Sequence, residues 1–304
     1  MARIASSAPP ALPAPSAVLE LLKPVTWFPP MWAFGCGVVS SGVPLSGHWG
    51  VAIVGILLAG PLICATSQAV NDWFDREVDA INEPQRPIPS GRMPGRTGLY
   101  VAIVWTLLSL AVAATLGSFV LLAAVAGLAL AWAYSAPPIR LKLNGWWGNA
   151  ACGFSYEGLA WFTGAAAMAG GTLPDGRIVA IAVLYSIGAH GIMTLNDFKS
   201  IEGDRRMGIG SLPVRLGARR AGIVACVVMA LPQFVVAALL VRWDAPWHAS
   251  AVLGVLALQL LCMVRLLRDP RGLAPWYNAT GVSLYVLGML AAAFALGGLL
   301  AGAA

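Results

Sequence analysis

Apolar runs recur along this chain at intervals of roughly twenty to thirty residues, and about 20 such residues are what a helix needs to cross a hydrocarbon layer of about 30 Å. Nine runs meet the requirement, over approximately residues 24–41, 48–70, 97–117, 118–136, 147–170, 177–196, 220–242, 247–268 and 277–302. With 59% hydrophobic and only 11% charged residues, the chain reads as all-α, a polytopic membrane protein of about nine transmembrane helices. The Pro- and Ala-rich opening ASSAPPALPAPSA lacks the uninterrupted apolar stretch of a secretory signal. Residues 1–17 therefore read as a disordered tail, and 18–304 as a single transmembrane domain. Cys36, Cys64, Cys152, Cys226 and Cys262 all fall in expected helices without metal-type spacing, as small buried hydrophobes do.

Cytoplasmic loops collect Lys and Arg. With a cytoplasmic N-terminus, all but two of the 19 basic residues fall on that side, Arg177 and Arg242 being the exceptions. The net charge of +6 is then a consequence of topology and no sign of nucleic-acid binding.

Against this apolar background the stretch NDWFDREVD at 71–79 stands out, and it reappears as NDFKSIEGD at 196–204. Each copy sits at the cytoplasmic end of an apolar run, the second and the sixth, and each precedes a basic loop containing a proline. An offset of four helices keeps both copies in one orientation. Halves of roughly 18–146 and 147–270 would be related by an axis along the membrane normal, with helix 277–302 added: two pseudo-repeated four-helix units plus one.

Successive helical residues turn by about 100°, so Asp72, Asp75 and Asp79 fall on one narrow face, and Asp197 and Asp204 repeat its outer positions. Glu77 and Glu202 point away from that face, while Asn71 and Asn196 open the two motifs and join the candidate set. Carboxylates gathered near a bilayer repel one another and cost up to roughly 2.5 to 3.5 kcal/mol each at mid-depth, less toward the interface. A cation must compensate. Magnesium fits, because it takes one or two carboxylates per ion and completes its shell with water and substrate phosphate. Arg76, Arg86, Arg140, Lys142, Lys199 and Arg205, with Arg206, lie in the adjoining loops, and such residues bind polyanions. Any one of them can equally be a solvated loop charge. Together the residues describe a diphosphate site.

The pattern NDxxDxxxD with its counterpart four helices later resembles the UbiA-type intramembrane prenyltransferases, over nearly the whole chain. NDWFDREVDAINEPQRPIPSGR and LNDFKSIEGDRRMGIGSLPVRLG, with KPVTWFPPMWAFGCG and YSAPPIRLK, are similar to the chlorophyll and bacteriochlorophyll synthase branch. The resemblance implies a magnesium-dependent esterification of bacteriochlorophyllide by a geranylgeranyl or phytyl diphosphate, in an inner or intracytoplasmic photosynthetic membrane. Chlorophyllide is the alternative acceptor, and a quinone or haem-pathway acceptor stands behind it. Many relatives carry a further Asp in the second motif where this chain has Ser200, which leaves the second metal's ligands less defined.

An allylic diphosphate departs when its growing charge is neutralised by metal and arginine, and apolar walls shield the allylic cation from water. A propionate acceptor is already ionised at neutral pH, so no strong base is required. Two further polar residues lie inside apolar runs, Glu157 and His190, and are candidates for pigment contact, or else hydrogen-bonded core groups. An ion-coupled carrier is the rival from another class, but its carboxylates belong near the bilayer midplane. A pigment-binding protein without catalysis has no need of five matched aspartates.

Overall fold

The computed structural model describes residues 13–302. Helix α1 (Pro15–Leu22) buries Ala17, Leu21 and Leu22 and ends at Lys23. Residues 1–12 of the expected tail lie outside the described residues, whereas Pro15–Ala17 form the first turn of α1 and are not tail. The reason is the burial of Ala17, which packs with Ala65, Ala69 and Ala102.

The long helices follow. α2 (Phe28–Ser40) opens on Pro29 and Pro30, in the first turn, where a missing N–H costs nothing. α3 is a single rod, Trp49–Asn82, that continues past its expected end at 70, so the whole first acidic motif is helical. Within it Leu58–Cys64 widens into a π turn around Pro61, since a proline lacks the N–H and presses on the preceding turn. The Trp105 indole donates to the Pro61 carbonyl at 3.1 Å. α4 (Thr97–Thr115) and α5 (Ser118–Ser135) form a hairpin. α6 covers residues 145–168 and has its own π turn, Phe154–Leu159. α7 (Gly176–Asn196), the short α8 (Ile201–Arg206) and α9 (Leu212–Leu216), then α10 (Ala218–Arg242), α11 (Pro246–Leu266) and α12 (Pro270–Ala301) complete the chain. Among the described residues there is no strand, only an isolated bridge between Asn144 and Gly210.

All nine expected segments are helical, and 7 helices among the described residues are long and apolar enough to cross a membrane. The two that fall short are α2, of 13 residues, and α6, where Ser155, Tyr156, Glu157 and Thr163 interrupt the aliphatic run. The outward faces carry exposed Leu107, Leu122, Leu231 and Leu261, as lipid contact requires. The protein is a multi-pass membrane protein.

Without a hydrophobic force between helices in lipid, close backbone approach and buried hydrogen bonds hold the bundle together. α2 and α6 cross where Gly37 lies on the Trp161 carbonyl and Gly164 on the Phe34 carbonyl, leaving no room for a Cβ at either glycine. Trp161 donates to Ser40 Oγ at 2.9 Å and stacks on Tyr185 at 5.7 Å. Farther round, Gln233 donates to Gln259 at 2.6 Å, and Gln259 to the Gly281 carbonyl at 2.9 Å, which links α10, α11 and α12. Replacing Gly164 by Leu is expected to cost about 3 kcal/mol or more through overpacking. The check is the melting temperature and monodispersity of the purified variant in detergent, with Gly164→Ala less affected.

Candidate functional site

The first motif occupies the last turns of α3, at the end of the bundle where the basic loops gather. Asp72 is only 2% exposed, and its Oδ1 accepts from Lys23 Nζ at 2.6 Å and from Arg86 Nη1 at 3.3 Å. Arg86 also holds Asp79 at 2.8 Å and pairs with Glu83. Asp75 pairs with Lys142 and accepts from Asn71 Nδ2 at 3.0 Å, and Asn71 in turn donates to Ser135 Oγ at 3.2 Å. Three carboxylates on one helical face thus meet three cations drawn from three separate segments. The second oxygen of Asp72 is buried and has no partner.

The cations differ in character. Burial works against the charge on Arg86, but Glu83, Asp72 and Asp79 outweigh it and raise its pKa above the ordinary arginine value. Lys142 goes the other way: burial strips water from its ammonium and lowers its pKa despite Asp75, consistent with the stronger hydration of an ammonium than of a guanidinium. Among the described residues, two of the three non-glycine residues with positive φ are cations at this site, Lys23 at 47° and Arg140 at 40°. Left-handed backbone costs such residues about 1–2 kcal/mol, and strain of this kind gathers at functional sites. Arg140 Nε is buried and unpartnered beside Lys142.

The second motif is built differently. The sequence reading places it on one helical face, but α7 ends at Asn196, Asp197–Lys199 form one 3-10 turn, and α8 begins after Ser200. The break has a local cause: the Ser200 hydroxyl bonds the Asp197 carbonyl at 3.1 Å and Asp204 Oδ2 at 2.9 Å, the competition with helix that serine favours. Asp197 Oδ2 accepts from Asn149 at 3.0 Å, and Asn196 Oδ1 from Asn278 at 2.9 Å. Among the described residues no Lys or Arg pairs with Asp197 or Asp204.

One segment serves both motifs. Gly145 N–H donates to the Gly210 carbonyl at 2.9 Å, and Gly210 N–H to the Leu143 carbonyl at 3.0 Å. This staple fixes residues 140–149, with Lys142 reaching Asp75 and Asn149 reaching Asp197. Of the expected anion-binding residues, Arg86 and Lys142 join the carboxylates, and Arg140 lies beside them. Arg76 instead stacks over Trp73 at 4.4 Å, Arg205 pairs with Glu202 at 3.7 Å, and Lys199 is exposed. Lys23, Asn149 and Asn278 had not been singled out. The two asparagines carry the signal that marked Glu157 and His190, a polar side chain inside an apolar run; Lys23 offers none.

Among the described residues no three His, Cys, Asp or Glu side chains form a ready-made metal cage. Magnesium does not need one, since one or two carboxylates suffice when phosphate completes the shell. The unpartnered buried oxygen of Asp72 is a donor of the right kind.

Beneath Asn71 a cavity of about 230 Å³ descends between α3, α5 and α6. Its upper rim is polar: Gln68 Nε2 donates to the Tyr156 hydroxyl at 3.0 Å, with Ser67 and Cys64 also on that oxygen. Below, the walls are Ile63, Gly127, Leu130, Leu159 and Ala160. Both π turns face this space. His190 and Glu157 do not line it. The His190 ring packs on Trp146 at 5.2 Å with both nitrogens unpartnered, and Glu157 is buried with one free oxygen.

The UbiA prenyltransferase family model matches residues 26–279. The bacteriochlorophyll synthase 33 kDa chain of Cereibacter sphaeroides is 56% identical over 291 residues, 96% of each chain. The chloroplastic chlorophyll synthase of Oryza sativa is 41% identical over 293 residues, 91% of this chain and 76% of that one. A UbiA homologue from Archaeoglobus fulgidus, solved bound to DMAPP and Mg2+, shares the fold with a TM-score of 0.71 at 21% identity, over 90% of this chain and 98% of its own. The chain belongs to the UbiA prenyltransferase family.

Proposed function

We propose that this protein esterifies the propionate carboxylate of bacteriochlorophyllide a with geranylgeranyl or phytyl diphosphate, releasing diphosphate in a magnesium-dependent reaction. The observation that carries the reading is the carboxylate–cation cluster of the first motif at the mouth of an apolar cavity. The choice of acceptor rests on the 56% identity, over 96% of both chains, to a bacteriochlorophyll synthase chain. In this reading residues 18–304 are one transmembrane prenyltransferase domain built on a repeat, in the inner or photosynthetic membrane, with the N-terminus and the site on the cytoplasmic side.

Asp72, Asp75, Asp79, Asp197 and Asp204 would hold magnesium, which when bound supplies Lewis-acid neutralisation of the diphosphate leaving group. Asn71 orients Asp75 through the hydrogen bond it already makes, and Asn196, held by Asn278, sets the start of the second motif. Arg86 and Lys142, with Lys23, turn from carboxylate to phosphate oxygens as the donor enters, and Arg140, already beside Lys142, joins them. Arg76, Lys199 and Arg205 belong to the outer approach, where their part is attraction of the anion. The allylic carbon sits at the level of Asn71, with the tail passing Gln68, Ser67 and Tyr156 into the apolar space below. The ionised propionate attacks that carbon and the carbon–oxygen bond to diphosphate breaks, so no proton need be removed. His190 and Glu157, on the α6 and α7 side, contact the pigment.

The test is esterification by the detergent-purified protein supplied with geranylgeranyl diphosphate, magnesium and bacteriochlorophyllide a or chlorophyllide a, read by chromatography of the extracted pigment. Ester with bacteriochlorophyllide, abolished by EDTA and restored by magnesium, is expected. Asp72→Asn should lower kcat by about a hundredfold or more, as loss of a group that stabilises leaving-group charge does. Preference for chlorophyllide would reassign the acceptor, and no ester with either pigment would refute the reading. Lys142→Ala, which removes one charge-assisted contact to phosphate, should raise the donor KM about tenfold and also lower the melting temperature, since it leaves Asp75 without its cation.

A further inference from the structure

The cavity has a waist, and its position is fixed from three helices independently. On α3, Ile63 is eight residues below Asn71, on α5 Gly127 is eight below Ser135, the hydrogen-bond partner of Asn71, and both therefore lie about 12 Å beneath the acidic motif. On α6, Leu159 is seven residues beyond Cys152, which meets Tyr134 of α5, and so reaches the same level. A Cβ built on Gly127 meets only the tips of two side chains, Leu159 Cδ1 at 3.7 Å and Ile63 Cγ2 at 3.8 Å. All three residues line the cavity. Ile63 and Leu159 each belong to a π turn, so both widened turns bear on this level, and the third side of the waist has no side chain at all.

Below the waist the cavity continues past Ala123 and Thr163 to Leu58, thirteen residues down α3 from Asn71, or roughly 20 Å. Along an extended chain three covalent bonds span about 3.4 Å, so one prenyl repeat of four bonds spans roughly 5 Å. A ten-carbon tail ends near the waist, and a twenty-carbon tail must pass through it to the floor.

Building on the prenyl-transfer reading, we propose that Gly127 is a length gate. Its missing side chain keeps the lower half of the cavity open to long tails, and a side chain as large as leucine there converts the site to a short-donor site. The position selects among donors without touching the diphosphate or the reacting carbon. A methyl group fits between Ile63 and Leu159 at ordinary contact distance, whereas a leucine side chain spans the gap and separates the two halves.

The experiment compares wild type, Gly127→Ala and Gly127→Leu with geranyl, farnesyl and geranylgeranyl diphosphate, measuring kcat/KM for ester formation and, without acceptor, the melting-temperature rise each donor produces. In Gly127→Leu the preference for the twenty-carbon over the ten-carbon donor should fall by about tenfold to a hundredfold, the range in which apolar pockets discriminate by size, with the ten-carbon rate retained. Gly127→Ala should shift the same ratio a few-fold in the same direction, and it serves as the test if the leucine variant does not fold. An unchanged ratio and an unchanged pattern of thermal protection in both variants would overturn the gate while leaving the transferase reading intact. A wild type that neither transfers nor is protected by any of the donors would overturn both.

Discussion

Everything at the active end of this molecule depends on how three carboxylates on one helical face, two of them buried, are kept in charge balance. Asp72, Asp75 and Asp79 are forced together by the helical repeat, and an unpaired charge in such surroundings costs several kcal/mol. The fold answers with Lys23, Arg86 and Lys142, each from a different stretch of chain. The demand for these cations explains features remote from them. α1 packs against α3 and stops where it does because Lys23 must turn back toward Asp72, in a left-handed conformation that a lysine does not otherwise favour. The 140–149 segment is stapled by two backbone bonds to the loop at Gly210 because Lys142 at its start and Asn149 at its end must reach different motifs.

The two motifs solve the same problem in different ways, and the difference bears on how the site can act. The first is balanced by full charges, which a phosphate group can claim. The second is held by neutral donors, Asn149 and Ser200, and among the described residues no Lys or Arg is paired with its carboxylates. Ser200 is a working part of this arrangement: its hydroxyl breaks the helix and holds Asp204. The duplicated spacing in the sequence is thus not matched by a duplicated local structure.

How much of this was readable beforehand follows from the range of each interaction. The helices were legible because twenty apolar residues have few alternatives, and α10 and α11 begin and end within two residues of expectation. The first motif was legible as one face because its helix is unbroken. The cation partners were only half legible: Arg86 follows its carboxylates closely in the chain, while Lys23 lies 49 positions from Asp72, and no local pattern connects them. The break in the second motif was hidden because one serine hydroxyl, bonding forward and back, decided it.

The cavity shows the same division between what pattern reveals and what packing creates. Nothing in the hydropathy of α3 or α6 announces a π turn, although Pro61 gives a reason for the first. A π turn adds a residue to one circuit of the helix and rotates everything beyond it. In α3 the π turn itself supplies Leu58, Ala59, Ile63 and Cys64 to the cavity wall, Ser67, Gln68 and Asn71 line it above the turn, and the carboxylates follow farther along the same helix. In α6 the same device turns Tyr156 toward the cavity rim and Glu157 to the opposite side, two adjacent residues serving two different surroundings. A regular helix holds one face to one neighbour along its length. The two π turns are what allow one pair of helices to present a polar rim, an apolar shaft and a buried acid in succession.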